Sequence, residues 1–234
     1  MKYLQSINNE DHSEWLLKSG LSRAEFYKNN KIDLLLFTGG SDVHPKYYHE
    51  NIGSHTYCDI ERDKREIELY KILEDIPKLG ICRGGQLLTV LNGGKLIQHT
   101  NGHSSSHDMF LTDCDKFITT TSSHHQMMYP WSSPNKFYIL ACSFGLSNTY
   151  LDGNNQEIFP HLLIDQVKEK IINTRKHYIS KIIEPEIIYW PETNCLCIQG
   201  HPEWGDVNSD FTKICNFYVD LLLKGKLEEY VKNI

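Results

Sequence analysis

The stretch Gly80-Ile81-Cys82-Arg83-Gly84-Gly85-Gln86 carries a cysteine with a glycine two residues to either side, between a short apolar segment and the helix-like Gln86–Leu91. That is the cysteine form of a nucleophile elbow. Glycines let the chain turn sharply, and the side chain between strand and helix stands proud at the strand end. The N-terminus of the following helix faces the sulfur and favours the thiolate, which is the reactive form.

A nucleophilic thiol needs a base. Gln199-Gly200-His201-Pro202-Glu203-Trp204 offers one: an apolar strand delivers His201 to its end, and Glu203 follows two residues later. The imidazole can take the thiol proton while the carboxylate sets its tautomer and orientation. Trp204 is expected to pack rather than to serve as a substrate platform. A third element, Thr38-Gly39-Gly40-Ser41-Asp42-Val43-His44-Pro45, places glycines at another strand end. There a backbone N–H can face a developing oxyanion, and the N–H of Arg83, just after the thiol, can be the second donor.

These residues need elements to hold them. The run Ile32–Phe37 has the length and apolar continuity of a strand buried on both faces. Asp59–Glu74 repeats Ile60, Ile67, Tyr70 and Leu73 at helical spacing. Leu79–Cys82 and the helix from Gln86 continue a β–α–β–α alternation, the pattern of an α/β fold with a parallel sheet. Lys2–Ile7 reads as a short strand and Ser13–Lys18 as a short helix. Lys95–Gln98, Asp108–Leu111, Phe117–Thr121 and Phe137–Cys142 are short strands. His161–Ile183 is partly helical, Glu186–Trp190 and Cys195–Gln199 form a strand pair, and Phe211–Leu223 is an amphipathic helix. With 234 residues and neither repeat nor linker, residues 1–234 read as one domain.

The net charge of −6 speaks against nucleic acid as the main partner. No apolar run approaches membrane-spanning length and the first residues show no signal-peptide core, so no membrane association is expected and the expected compartment is cytoplasmic. Seven scattered cysteines read as reduced thiols, with Cys195 and Cys197 as buried packing residues. His99, His103 and His107 recur every four residues, with His124 and His125 beyond. Asn101-Gly102 breaks any helix that would align them and no acidic ligand lies at suitable spacing, so neither metal nor cofactor is expected.

Taken together, these blocks resemble the class I glutamine amidotransferase-like superfamily, and within it the peptidase C26 branch that includes γ-glutamyl-γ-aminobutyrate hydrolases. The resemblance rests on Gly39–Pro45, on Arg62, Asp63 and Glu66, on Gly80–Gln86 with Asn92-Gly93-Gly94, on Ser122-Ser123-His124-His125-Gln126 and on Gln199–Trp204, and covers about residues 32–222. It implies a flavodoxin-like three-layer sandwich around a mostly parallel sheet, with a shortened N-terminal part. It implies a triad of Cys82, His201 and Glu203, a γ-glutamyl thioester on Cys82, and oxyanion donors at the backbone of Gly40 and Arg83. Gln86, Ser123 and His125 would then hold the glutamyl group of a small-molecule substrate. Three functions are open to such a chain. It could release ammonia from glutamine for a synthetase partner, hydrolyse γ-glutamyl amines alone, or bind without catalysis on the same fold.

Overall fold

The computed structural model describes residues 3–5, 32–158 and 182–233. The helix expected at Ser13–Lys18 lies outside these residues, as does nearly all of the helical stretch expected within His161–Ile183 and the N-terminal region expected to be shortened. In chain order come β1 (Tyr3–Gln5), β2 (Leu34–Phe37), α1 (Ile60–Ile72), β3 (Lys78–Ile81), α2 (Arg83–Leu91), β4 (Lys95–Ile97), β5 (His99–Thr100) and β6 (His107–Leu111). Then follow β7 (Lys116–Thr120), β8 (Met127–Tyr129), β9 (Tyr138–Phe144), β10 (Tyr150–Leu151), β11 (Ile183–Trp190), β12 (Cys195–Ile198), α3 (Asp210–Leu223) and α4 (Leu227–Lys232).

One large sheet runs in the order β1-β2-β3-β12-β11-β9-β6-β7. The expectation of a mostly parallel sheet needs correction, because the sheet is mixed. Pairs β1–β2, β2–β3 and β3–β12 are parallel. Pairs β12–β11, β11–β9, β9–β6 and β6–β7 are antiparallel. Connection length accounts for three of these pairs. A helical crossover through α1 brings β3 back beside β2 in the same direction, whereas the tight turns Pro191–Asn194 and Thr112–Asp115 can join only antiparallel neighbours. Asp115 and Asn194 take left-handed backbone angles in those turns, at φ 55° and 51°.

Period-two alternation divides the side chains between two cores. Leu35, Phe37, Cys195, Cys197, Ile188 and Trp190 pack on one face with Leu69 of α1 and Leu87 and Leu88 of α2. Leu34, Leu196, Ile198, Ile187 and Tyr189 pack on the other with Phe211, Cys215, Tyr218 and Leu222 of α3. Helices therefore cover both faces of the sheet, the three-layer arrangement expected. Burial of Phe211 and Leu222 contributes about 1.5–3 kcal/mol each. Asp59 caps α1 by accepting from the N–H groups of Glu61 and Arg62, both at 3.0 Å, and Ser209 caps α3 through Thr212 N–H at 3.1 Å. All seven cysteines are free thiols, and Cys195 and Cys197 are fully buried.

Helix α2 lies exceptionally close to β2 and β3. A Cβ on Gly80 would stand 2.5 Å from the Gly84 carbonyl, and one on Gly84 would overlap the Phe37 carbonyl. Neither glycine has a positive φ. Both are there because the backbones touch, which corrects the expectation that they serve to bend the chain. Gly84→Ala should therefore lower stability by about 3 kcal/mol, the upper part of the range for overpacking. Gly225→Ala, at φ 65° with open space around it, should cost only about 1 kcal/mol. Urea unfolding of the two variants measures the difference.

Candidate active site

Strands β2, β3 and β12 are adjacent and parallel, and each delivers one of the three motifs to the same sheet edge. Ligands of open α/β sheets bind at that edge. Cys82 follows β3 directly with φ 51° and ψ −114°, a conformation that costs a non-glycine residue about 1–3 kcal/mol. Its N–H donates to Ile198 O at 2.7 Å and its carbonyl accepts from Gln86 N–H at 3.1 Å. It is therefore held by strand on one side and helix on the other. Arg83 opens α2, and the N–H groups of a first helical turn have no partner within the helix. The Arg83 N–H is thus available beside the sulfur.

The Gly39-Gly40 turn is held from behind. Arg62 Nη1 donates to Gly39 O at 3.0 Å and Nη2 to Thr38 O at 2.9 Å. In a trans peptide the carbonyl and the following N–H point in opposite directions. Holding Gly39 O therefore turns the Gly40 N–H away from Arg62. Gly40 has φ 138° and lies so close to Arg62 that a Cβ would overlap the guanidinium, so this turn does require glycine. The Arg83 side chain is buried. It donates to Ser41 O at 3.0 Å and pairs with Asp63 and Glu66. Arg62 Nε also pairs with Glu66, at 3.0 Å, and Asp63 accepts from His44 N–H at 2.8 Å. Burial pushes the Asp63 carboxyl up, opposed by the Arg83 guanidinium.

His201 sits just beyond β12. Its Nδ1 lies 2.7 Å from Glu203 Oε1, and because a carboxylate only accepts, Nδ1 carries the proton and Nε2 is left for the thiol. A Cβ on Gly39 would lie 3.1 Å from His201 Cε1 and 3.7 Å from Cys82 Cβ, so the glycine turn, the thiol and the imidazole meet. Burial disfavours the imidazolium, but hydrogen bonds to Cys82 and Glu203 outweigh it and raise the His201 pKa to about 9. The Trp204 ring stacks on the imidazole, 3.6 Å between centroids and 1° between planes. It packs as expected, and what it packs against is the His201 imidazole.

The residues expected to hold substrate are placed differently from one another. Gln86 is buried one turn along α2, with its amide donating to Gln126 O at 2.9 Å and lying 3.4 Å from Gln199 Oε1. Its nitrogen is thus turned to the protein interior, where it supports the segment carrying Ser123 and His125. Ser123 is exposed. His125 is partly exposed, with Nε2 3.3 Å from Asp42 Oδ1, and that hydrogen bond raises its pKa despite opposing burial. Asp42 thereby links the glycine-turn motif to the His125 segment, a link the two motifs did not reveal separately. The clamping role of Arg62, Asp63 and Glu66 is likewise visible only in three dimensions.

A three-layer α/β fold with this sheet defines the protein as having the fold of the class I glutamine amidotransferases. A GMP synthase subunit-type protein of Thermoplasma acidophilum superposes with a TM-score of 0.51 over 99% of this chain and 96% of that one, at 15% identity. The chain belongs to the peptidase C26 family, whose model matches residues 18–138. A glutamine amidotransferase-like protein of Rickettsia prowazekii is 41% identical over 102 residues, 42% of this chain and 36% of that relative. A glutamine amidotransferase-type protein of Schizosaccharomyces pombe is 33% identical over 103 residues, 42% of this chain and 40% of the relative. The matched region spans less than half the length of either relative. Among the described residues, no helix is long and apolar enough to cross a membrane.

The His201 geometry has a titration signature. The imidazole resonance of His201 should titrate with a midpoint near 9, moving toward the ordinary 6.5 in Glu203→Gln. A wild-type midpoint near 6.5 would contradict the hydrogen-bonded arrangement. Because the folded state favours the protonated ring, the stability this gives is complete below pH 6.5 and lost as pH rises through about 9. Glu203→Gln should therefore be less stable than wild type at pH 6 and nearly equal to it at pH 10.

Proposed function

We propose that the chain is a cysteine hydrolase that cleaves a γ-glutamyl amide through a thioester on Cys82. The observation that carries this reading is the left-handed Cys82 at the end of β3, meeting at Gly39 the imidazole of His201, whose Nδ1 lies 2.7 Å from Glu203. In the proposed reaction the Cys82 sulfur attacks the γ-carbonyl carbon. The carbonyl electron pair moves to oxygen, where the N–H groups of Gly40 and Arg83 stabilise the negative charge. His201 holds the thiol proton and gives it to the leaving amine as the C–N bond breaks. Water, deprotonated by His201, then attacks the thioester and releases glutamate with regeneration of Cys82. Glu203 and Trp204 orient the imidazole. His125, poised by Asp42, and Ser123 provide the polar side of the substrate site, with Gln86 supporting their segment.

The leaving group is ammonia when glutamine is the substrate. In that case a synthetase that accepts the ammonia is the natural partner, as the family resemblance implies. A stand-alone hydrolase would instead release a larger amine.

Turnover of glutamine and of a panel of γ-glutamyl amines tests the proposal. Cys82→Ala should lose about 10³-fold or more in turnover, and turnover equal to wild type would refute the nucleophile. Activity on amines in the isolated chain would identify a free hydrolase, and weak glutamine turnover a subunit that awaits its partner. A glutamine-analogue electrophile should modify Cys82 first. The exposed Cys114 is one competitor, but local desolvation and the neighbouring Asp113 raise its thiol to about 11, so it is mostly in the less nucleophilic thiol form at neutral pH.

A further inference from the structure

On the antiparallel half of the sheet lies a second cluster of chemistry-bearing side chains that the proposed reaction does not use. His103 precedes β6, His124 lies in the segment before β8, and Glu184 and Glu186 stand two residues apart on β11. All four are buried. Glu186 accepts on Oε1 from Ser143 Oγ at 2.9 Å and lies 2.7 Å from His107 Nε2, which leaves Oε2 without a partner among the described residues. His124 Nδ1 lies 2.8 Å from the Gln126 carbonyl, which can only accept, so Nδ1 carries the proton. Nε2 is then a bare lone pair, and it too is buried and unpartnered among the described residues. His103 Nε2 lies 3.3 Å from Glu184 Oε1, at ion-pair distance but without hydrogen-bond alignment, and Nδ1 is without a hydrogen bond among the described residues. Glu184 is anchored by the N–H groups of Leu146 and Ser147 and by the Tyr150 hydroxyl, at 2.9, 3.0 and 2.7 Å.

Each unpartnered buried polar atom costs about 1–3 kcal/mol, so their convergence calls for a ligand. One ligand atom each from His103, His124 and Glu186 lie within 4.8 Å of one another. Metal-ligating histidines typically donate their other ring nitrogen to a carboxylate or a backbone carbonyl. His124 does so toward the Gln126 carbonyl, and His103 Nε2 lies 3.3 Å from Glu184 Oε1, close enough to adopt the same contact. We propose that His103, His124 and Glu186 bind a zinc ion, with a fourth position for solvent, and that the ion braces the segment of Ser123 and His125 against β11. Tetrahedral zinc with nitrogen and oxygen bonds of about 2.0–2.2 Å sets its ligand atoms closer together than this, so the three side chains close by well under a residue's width on binding. The expectation that these histidines lack an acidic partner is revised: the acid comes from a strand distant in sequence.

Zinc titration and cobalt substitution of the full chain test the site. Metal-stripped protein should bind one equivalent of zinc, with a rise in Tm that chelator reverses. Cobalt should give tetrahedral visible bands without a thiolate charge-transfer band, since the ligands are nitrogen and oxygen. Cys82→Ser should keep the same stoichiometry and spectrum, which separates this site from adventitious binding at the reactive thiol. Glu186→Gln and His124→Gln should each lower zinc affinity about 100-fold or more, beyond what losing a hydrogen bond to a ligand produces. No zinc retention by wild type would overturn the proposal. So would a cobalt spectrum with thiolate character that disappears in Cys82→Ser.

Discussion

The buried Arg83 guanidinium is the constraint on which the site depends. It reaches Ser41 O beside the glycine turn and pairs with Asp63 and Glu66 of α1, while its own backbone opens α2 beside the thiol. Arg62 completes the network by joining Glu66 to the carbonyls of Thr38 and Gly39. Two cations and two carboxylates thus tie β2, α1 and α2 into one body. Buried ion pairs of this kind add little stability relative to an apolar core, yet removing one partner costs about 3–5 kcal/mol because the remaining charge is stranded. Their value here is positional: they fix two backbone N–H groups relative to a cysteine held at positive φ.

The imidazole of His201 is held differently. His201 is buried, but Glu203 is half-exposed and Trp204 lies largely open to solvent. The imidazole is oriented by one hydrogen bond and one stacked ring rather than by a packed core. The thiol end of the site is therefore rigid, and the acid–base end can adjust. That difference suits the proposed reaction, in which the imidazole would exchange protons with a thiol, a leaving amine and a water in turn.

Much of the site could be read from the chain because its chemistry is concentrated in short motifs at strand ends. Cys82, His201 and Glu203 each lie within a few residues of the turn that positions them. Gly80 and Gly84 were legible as residues, but their reason, backbone contact between α2 and its strands, needs coordinates. Arg62, Asp63 and Glu66 were legible as a pattern on one helix, whereas their partners at Thr38, Gly39 and Arg83 depend on how α1 docks. The antiparallel half of the sheet was harder to read. Short strands such as Lys95–Ile97 show little periodicity, and pairing order follows from turn lengths rather than composition. The histidine cluster was least legible of all, because Glu184 and Glu186 lie on β11, far along the chain from His103 and His124.

The central claim is that Cys82 forms a covalent acyl intermediate at this elbow, and trapping that intermediate tests it most directly. Wild-type protein would be mixed with a γ-glutamyl donor, quenched in acid during turnover and analysed by intact and peptide mass spectrometry. The account predicts a mass increase of one glutamyl group, located on the peptide containing Cys82 and absent from Cys82→Ala. A glutamyl group on another residue, or turnover in Cys82→Ala equal to wild type, would contradict it.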